Sequence, residues 1–125
     1  MLDIVLVGAG GFIGANTRYA LTLLCNHLFR DSFPVGTFLI NVSGSFILSL
    51  FLSLAGRGIL SAIEWRWLVA VGFCGGYTTF STYTYETILL LCKKKPILGL
   101  GGYLLGSYIL AMLAAFLGWW AGGLI

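Results

Sequence analysis

The run Gly75-Gly76-Tyr77-Thr78-Thr79-Phe80-Ser81-Thr82-Tyr83 sets two glycines and four Ser/Thr hydroxyls in the middle of an apolar, membrane-length stretch. Bilayer hydrocarbon offers no water to unpaired backbone groups, so such a stretch is tolerated only where it faces protein or a polar cavity. With Thr84 included, five such hydroxyls (Thr78, Thr79, Ser81, Thr82, Thr84) fall within seven residues. Bonding back to carbonyls one turn earlier accounts for one or two of them. Beside Gly75 and Gly76, the five suggest a helix break whose freed carbonyls can hold a cation and whose hydroxyls can donate to an anion. Phe80 and Tyr83, three apart, share a helical face. Aromatic rings carry a positive edge, so rings presented edge-on can line an anion path; the plainer role is packing against another span.

A second polar element is Asn41, set in Gly36-Thr37-Phe38-Leu39-Ile40-Asn41-Val42-Ser43-Gly44-Ser45. An unpaired amide in an uncharged helix is costly, so Asn41 needs a partner, either a neighbouring helix or a permeating ion. Enzyme chemistry has no such support. His27 stands alone near a span end, with no paired carboxylates and no nucleophile arrangement. Cys25, Cys74 and Cys92 are odd in number and lack C-x-x-C spacing or a cluster of His partners, which argues against a disulfide framework or a zinc site. They read as small apolar fillers.

The elements that must position these residues follow from composition. Of 125 residues, 59% are hydrophobic and 9% charged, with mean hydropathy +1.00, too apolar for a small soluble domain. A spanning helix needs about 20 mostly apolar residues. Four stretches qualify, 2–29, 36–56, 67–92 and 97–124, in one domain that takes up nearly the whole chain. The expected fold is an all-α membrane protein of four transmembrane helices, the third broken near its middle. No charge interrupts 32–56 or 96–125, and the third stretch is uncharged from 67 to 85, whereas Arg18 interrupts the first. Trp65, Trp67, Trp119 and Trp120 can anchor at headgroup level or simply face lipid. No basic region precedes the first span, Asp3 stands there instead, and no small-residue cleavage site is evident, so this span is expected to stay.

With four spans, the termini share a side with Arg57, Glu64 and Arg66, while Arg30, Asp31 and Lys93 to Lys95 share the other: two basic residues against four outside the spans. So small a bias permits insertion in both orientations. Two copies could then pair antiparallel and give a chain too small to enclose a pore a symmetric one, as internal inverted repeats do in larger transporters. The lysine run itself reads as an ordinary interfacial anchor.

Residues 2–14 also read like a strand followed by G-x-x-G-x-x-G, with Asp31 some way downstream, as in dinucleotide-binding enzymes. That fingerprint requires a soluble βαβ unit, and the chain carries no alternating strand pattern. Close helix packing explains the same glycines, because Gly10/Gly14, Gly72/Gly76, Gly102/Gly106 and Gly118/Gly122 are each four apart and flatten one helix face.

Taken together, Gly36-Thr37 with Asn41, Gly75-Gly76-x-Thr78-Thr79-Phe80-Ser81-Thr82 with Glu86, Gly10 to Gly14 with Arg18, and Gly106-Ser107 make the chain similar, over its whole length, to the small fluoride channels called Fluc or CrcB. The resemblance implies an antiparallel, dual-topology homodimer of four-helix subunits with two pores, multi-pass in a bacterial plasma or inner membrane. Its expected function is passive, selective fluoride export that lowers cytoplasmic fluoride, with fluoride, the bilayer and a second copy as partners and no nucleic acid. Carried over by position, the backbone carbonyls of Gly75 and Thr78 would hold a central structural sodium ion that is not transported. Asn41 and Phe80 would meet fluoride, Ser81 and Thr82 would supply nearby hydroxyls, and Thr37 would sit in the vestibule. Tyr103 and Ser107, four apart, would continue a polar track.

Two departures from that pattern matter. Tyr83 replaces the second ring of a phenylalanine pair, keeping an aromatic edge but adding a hydroxyl that can donate to fluoride or tie the ring elsewhere. Beyond Ser107 the same face carries Ala111 and Ala115, which shortens the polar track. Fluoride is small and strongly hydrated, so close donors must replace its shell, and a nearby cation offsets anion repulsion at low dielectric. Arg18 can form an anion-attracting vestibule charge or snorkel to an interface, and Glu86 nears the far interface or pairs with a polar neighbour. Competing classes are a proton-coupled pump resembling the small multidrug transporters, which use a buried first-span carboxylate where this chain has only Asp3, and a structural subunit, which needs neither a polar path nor Asn41.

Overall fold

The computed structural model describes residues 1–29, 34–58, 63–93 and 97–125. The loop charges Arg30, Asp31, Lys94 and Lys95 lie outside the described residues. Helices follow in the order α1 (Leu2–Leu28), α2 (Val35–Gly56), α3 (Ile63–Trp65), a π-helix (Arg66–Phe73), α4 (Cys74–Tyr77), α5 (Ser81–Cys92) and α6 (Ile97–Leu124). Among the described residues there is no strand.

Three helices are long and apolar enough to cross a bilayer: α1, α2 and, from Gly99, α6. The 27 residues of α1 span about 40 Å at 1.5 Å per residue, so the Arg18 interruption does not shorten it. The chain between α2 and α6 is built differently. Among the described residues its helical path runs from Ile63 through a wide π-helical stretch and is divided again between Tyr77 and Ser81.

Two helix pairs carry most of the packing, α1 against the π-helix with α4, and α2 against α6. Both rely on missing side chains. A methyl at Gly10 would overlap the Leu68 carbonyl, one at Gly14 the Phe73 carbonyl, and one at Gly76 would come 2.5 Å from the Gly11 oxygen. Gly118 presses on the Phe46 carbonyl and Gly122 on Ser53, whose Oγ donates to the Trp119 carbonyl at 3.0 Å. Lipid tails are as apolar as the side chains they replace, so backbone-close packing and hydrogen bonds hold such helices together. Gly102 and Gly106 depart from this pattern, since a methyl at either would meet nothing within 4 Å. Spacing alone marks a flat face; only a neighbour turns it into a contact.

Candidate ion site

The helical path stops at Tyr77 because three side chains take over the hydrogen bonds that a continuous helix would make. Thr78 is extended, at φ −78 and ψ 160, and both its N–H and its hydroxyl donate to the Cys74 carbonyl, at 2.9 and 2.8 Å, closing α4. Asn41 of α2 then holds Thr79 with both arms of its amide. Its Nδ2 donates to the Thr79 carbonyl and its Oδ1 accepts the Thr79 N–H, each at 2.9 Å. A carboxamide has the donor and acceptor of a peptide group, so it substitutes for helix neighbours at the break. Finally, the Thr79 hydroxyl accepts the Thr82 N–H at 3.2 Å, satisfying one of the free donors at the start of α5.

These diversions free two particular carbonyls. In an unbroken helix the Thr79 N–H would go to Gly75 and the Thr82 N–H to Thr78. Instead Asn41 and the Thr79 hydroxyl hold those donors. Gly75 is exposed, with open space where a side chain would stand. The Thr78 carbonyl meets Arg18 Nη1 at 3.4 Å, a long contact that leaves a lone pair available. Two freed, neutral backbone oxygens are the donor set that suits an alkali cation, so Gly75 and Thr78 fit that role, with further oxygens needed to complete a shell.

The hydroxyls divide into two sets. Thr78 and Thr84 bond back to the carbonyls of Cys74 and Phe80. Thr79, Ser81 and Thr82 instead cluster, with Thr79 Oγ1 3.3 Å from Ser81 Oγ and 3.0 Å from Thr82 Oγ1. Ser81 and Thr82 line a cavity of about 310 Å³ with Arg18, Thr22 and Thr37, where the Thr22 hydroxyl turns back to the Arg18 carbonyl and that of Thr37 is held by Glu86.

Phe80 is 79% exposed on the other side of the break. Its ring lies 5.9 Å from that of Tyr83, which lies 5.3 Å from that of Tyr103, giving an aromatic ladder from the surface to a fully buried ring. The extra hydroxyl of Tyr83 donates to the Leu104 carbonyl at 3.2 Å, so it ties the ring to α6. A cavity of about 160 Å³ is lined by Asn41, Phe80, Tyr83, Ser107, Tyr108 and Ala111. Ser107 is 6% exposed, and its hydroxyl has no partner among the described residues. A larger, open depression of about 420 Å³ brings Asn41, Gly75, Thr78 and Phe80 to one face of the chain.

Glu86 lies inside the helix group. Thr37 donates to its Oε1 at 2.9 Å and Tyr103 to its Oε2 at 2.8 Å, joining α2, α5 and α6 through one carboxylate. Two charge-assisted hydrogen bonds make such a group tolerable among apolar spans. Thr37 and Tyr103 therefore point their hydroxyls at Glu86, and only Ser107 of the expected polar track presents an unpartnered one. Thr79 and Tyr108 enter the site without having been singled out. Thr79 was one hydroxyl of five, and Tyr108 carries no signal beyond following Ser107.

An all-helical chain with three apolar spans and polar cavities between them is a multi-pass membrane protein. Residues 5–119 match the family described as CrcB-like protein, Camphor Resistance (CrcB), and the chain belongs to that family. The chain is 42% identical over 125 residues to the fluoride-specific ion channel FluC 2 of Bacillus cereus (strain ATCC 10987 / NRS 248), covering 99% of this chain and 100% of the relative. It is 44% identical over 119 residues to the fluoride-specific ion channel FluC of Koribacter versatilis (strain Ellin345), covering 95% and 91%. FluC of Prosthecochloris aestuarii (strain DSM 271 / SK 413), likewise named a fluoride-specific ion channel, is 42% identical over 115 residues, covering 92% and 88%.

Proposed function

We propose that this protein is a fluoride-specific ion channel that lets fluoride leave the cell passively, and that it is not an enzyme. The observation that carries the reading is identity along essentially the whole chain with proteins named for that activity. The donor chemistry around the break supports it.

In this reading the chain sits in a bacterial plasma or inner membrane as an antiparallel, dual-topology homodimer with two pores, its third span broken at residues 78–80. Phe80 and Gly75 lie open on the face with the large depression, and a second copy on that face would enclose what one chain leaves open. The Gly75 and Thr78 carbonyls would hold a structural sodium ion, whose charge offsets anion repulsion in a low-dielectric setting. Arg18, with Ser81, Thr82 and Thr37 beside it, draws an anion to the vestibule. The second amide hydrogen of Asn41, the ring edges of Phe80 and Tyr83, and the Ser107 hydroxyl then replace its water. Fluoride is small and strongly hydrated, so it would gain more than a larger anion from such donors.

Phe80→Ile tests the reading. It should cut fluoride efflux from reconstituted liposomes by at least tenfold while the protein elutes at an unchanged size; unchanged efflux would remove Phe80 from the path.

A further inference from the structure

Two of the donors around the smaller cavity are already engaged. The Tyr83 hydroxyl is bound to the Leu104 carbonyl, and one amide hydrogen of Asn41 is bound to the Thr79 carbonyl. Ala111 brings no donor. What remains is the second Asn41 hydrogen, the orphaned Ser107 hydroxyl and the hydroxyl of Tyr108, which no described residue hydrogen-bonds.

Tyr108 is unusual for its depth. It lies about 17 Å from the N-terminal end of the 28-residue α6, in the middle of the span, and is 65% exposed. Tyrosine at headgroup level wets its hydroxyl, but at mid-span there is no water to bond it, and an unpaired phenol is costly there. A polar partner must therefore come from outside the chain's own described residues. Ser107, at the preceding position of the same helix, also lines this cavity, and its buried hydroxyl has no partner among the described residues.

We propose that Tyr108 supplies a hydroxyl donor, beside that of Ser107, to a small anion in this cavity and so acts as a selectivity residue. This rests on the fluoride reading above and adds to it a residue outside the set carried over by resemblance. A phenol donates one short, strong hydrogen bond to an anion, which rewards a small ion over a large one.

Tyr108→Phe keeps the ring and removes only the donor. In liposomes the variant should pass fluoride at least tenfold more slowly than wild type and discriminate less against chloride, with elution volume and unfolding temperature unchanged. In parallel, 3-fluorotyrosine incorporated at position 108 should show a ring ¹⁹F resonance that moves when sodium fluoride replaces sodium chloride. Wild-type conduction alongside unchanged efflux in Tyr108→Phe, or a resonance indifferent to fluoride, overturns the assignment and leaves the channel reading standing. A change in elution volume instead of efflux shows that the hydroxyl bonds a second copy, which also overturns it. No fluoride efflux from wild type overturns both.

Discussion

Replacing Asn41 by alanine removes both arms of the clamp on Thr79, a residue only 9% exposed. Each buried backbone group left without a partner costs about 1–3 kcal/mol, so roughly 2–6 kcal/mol is at stake. The Thr79 N–H has an alternative, however, because it can turn back to the Gly75 carbonyl as in an ordinary helix. That leaves the Thr79 carbonyl as the main orphan and a net loss of about 1–3 kcal/mol. It also engages the Gly75 oxygen that the sodium ion would need. Asn41→Asp separates the two effects, since it keeps an acceptor for the Thr79 N–H while losing the donor to the carbonyl. The assay is thermal unfolding of the purified protein in sodium and in N-methylglucamine. Wild type should be more stable in sodium, Asn41→Ala less stable in both with its sodium increment lost, and Asn41→Asp less stable with the increment retained. An Asn41→Ala protein with the full wild-type sodium increment would refute the link between the clamp and the carbonyls.

Tyr83→Phe should keep fluoride efflux near the wild-type rate and lower stability by about 0.5–1.5 kcal/mol, because the lost hydroxyl ties the ring to Leu104; tenfold slower efflux would put that hydroxyl in the path. Gly10→Ala should cost about 1–3 kcal/mol in unfolding measurements, its methyl having nowhere to go beside the Leu68 carbonyl, Phe73 and Gly72. Gly102→Ala, with open space around it, should leave the chain as stable or stiffen α6 by about 0.5–1 kcal/mol; equal losses in the two glycine variants would contradict the packing described.

The long helices were readable in advance because their signal is local, as uncharged apolar runs at bilayer length leave few alternatives. The polar character of 75–84 was readable for the same reason. Which hydroxyls turn back and which cluster was not, because Thr78 and Thr84 differ from Thr79, Ser81 and Thr82 only in phase about the break. The partner of Asn41 lies 38 residues away, and no local pattern points from an amide to a particular peptide group. Glu86 read equally as an interfacial charge or a paired one until α2 and α6 brought Thr37 and Tyr103 to it. Of the four glycine pairs, Gly102/Gly106 shares the spacing of the others and lacks their neighbour. The π-helix at Arg66–Phe73 left no trace in composition. It lies against α1 where Gly72 meets Gly10, so tertiary contact outweighs the ordinary helical turn there.

Fluoride efflux from liposomes holding the purified wild-type protein, read with a fluoride electrode under an imposed voltage, tests the central claim most directly. The site at Asn41, Phe80 and Ser107 predicts voltage-driven fluoride release with no comparable chloride current. Chloride passing as readily as fluoride, or no current at all, would contradict it.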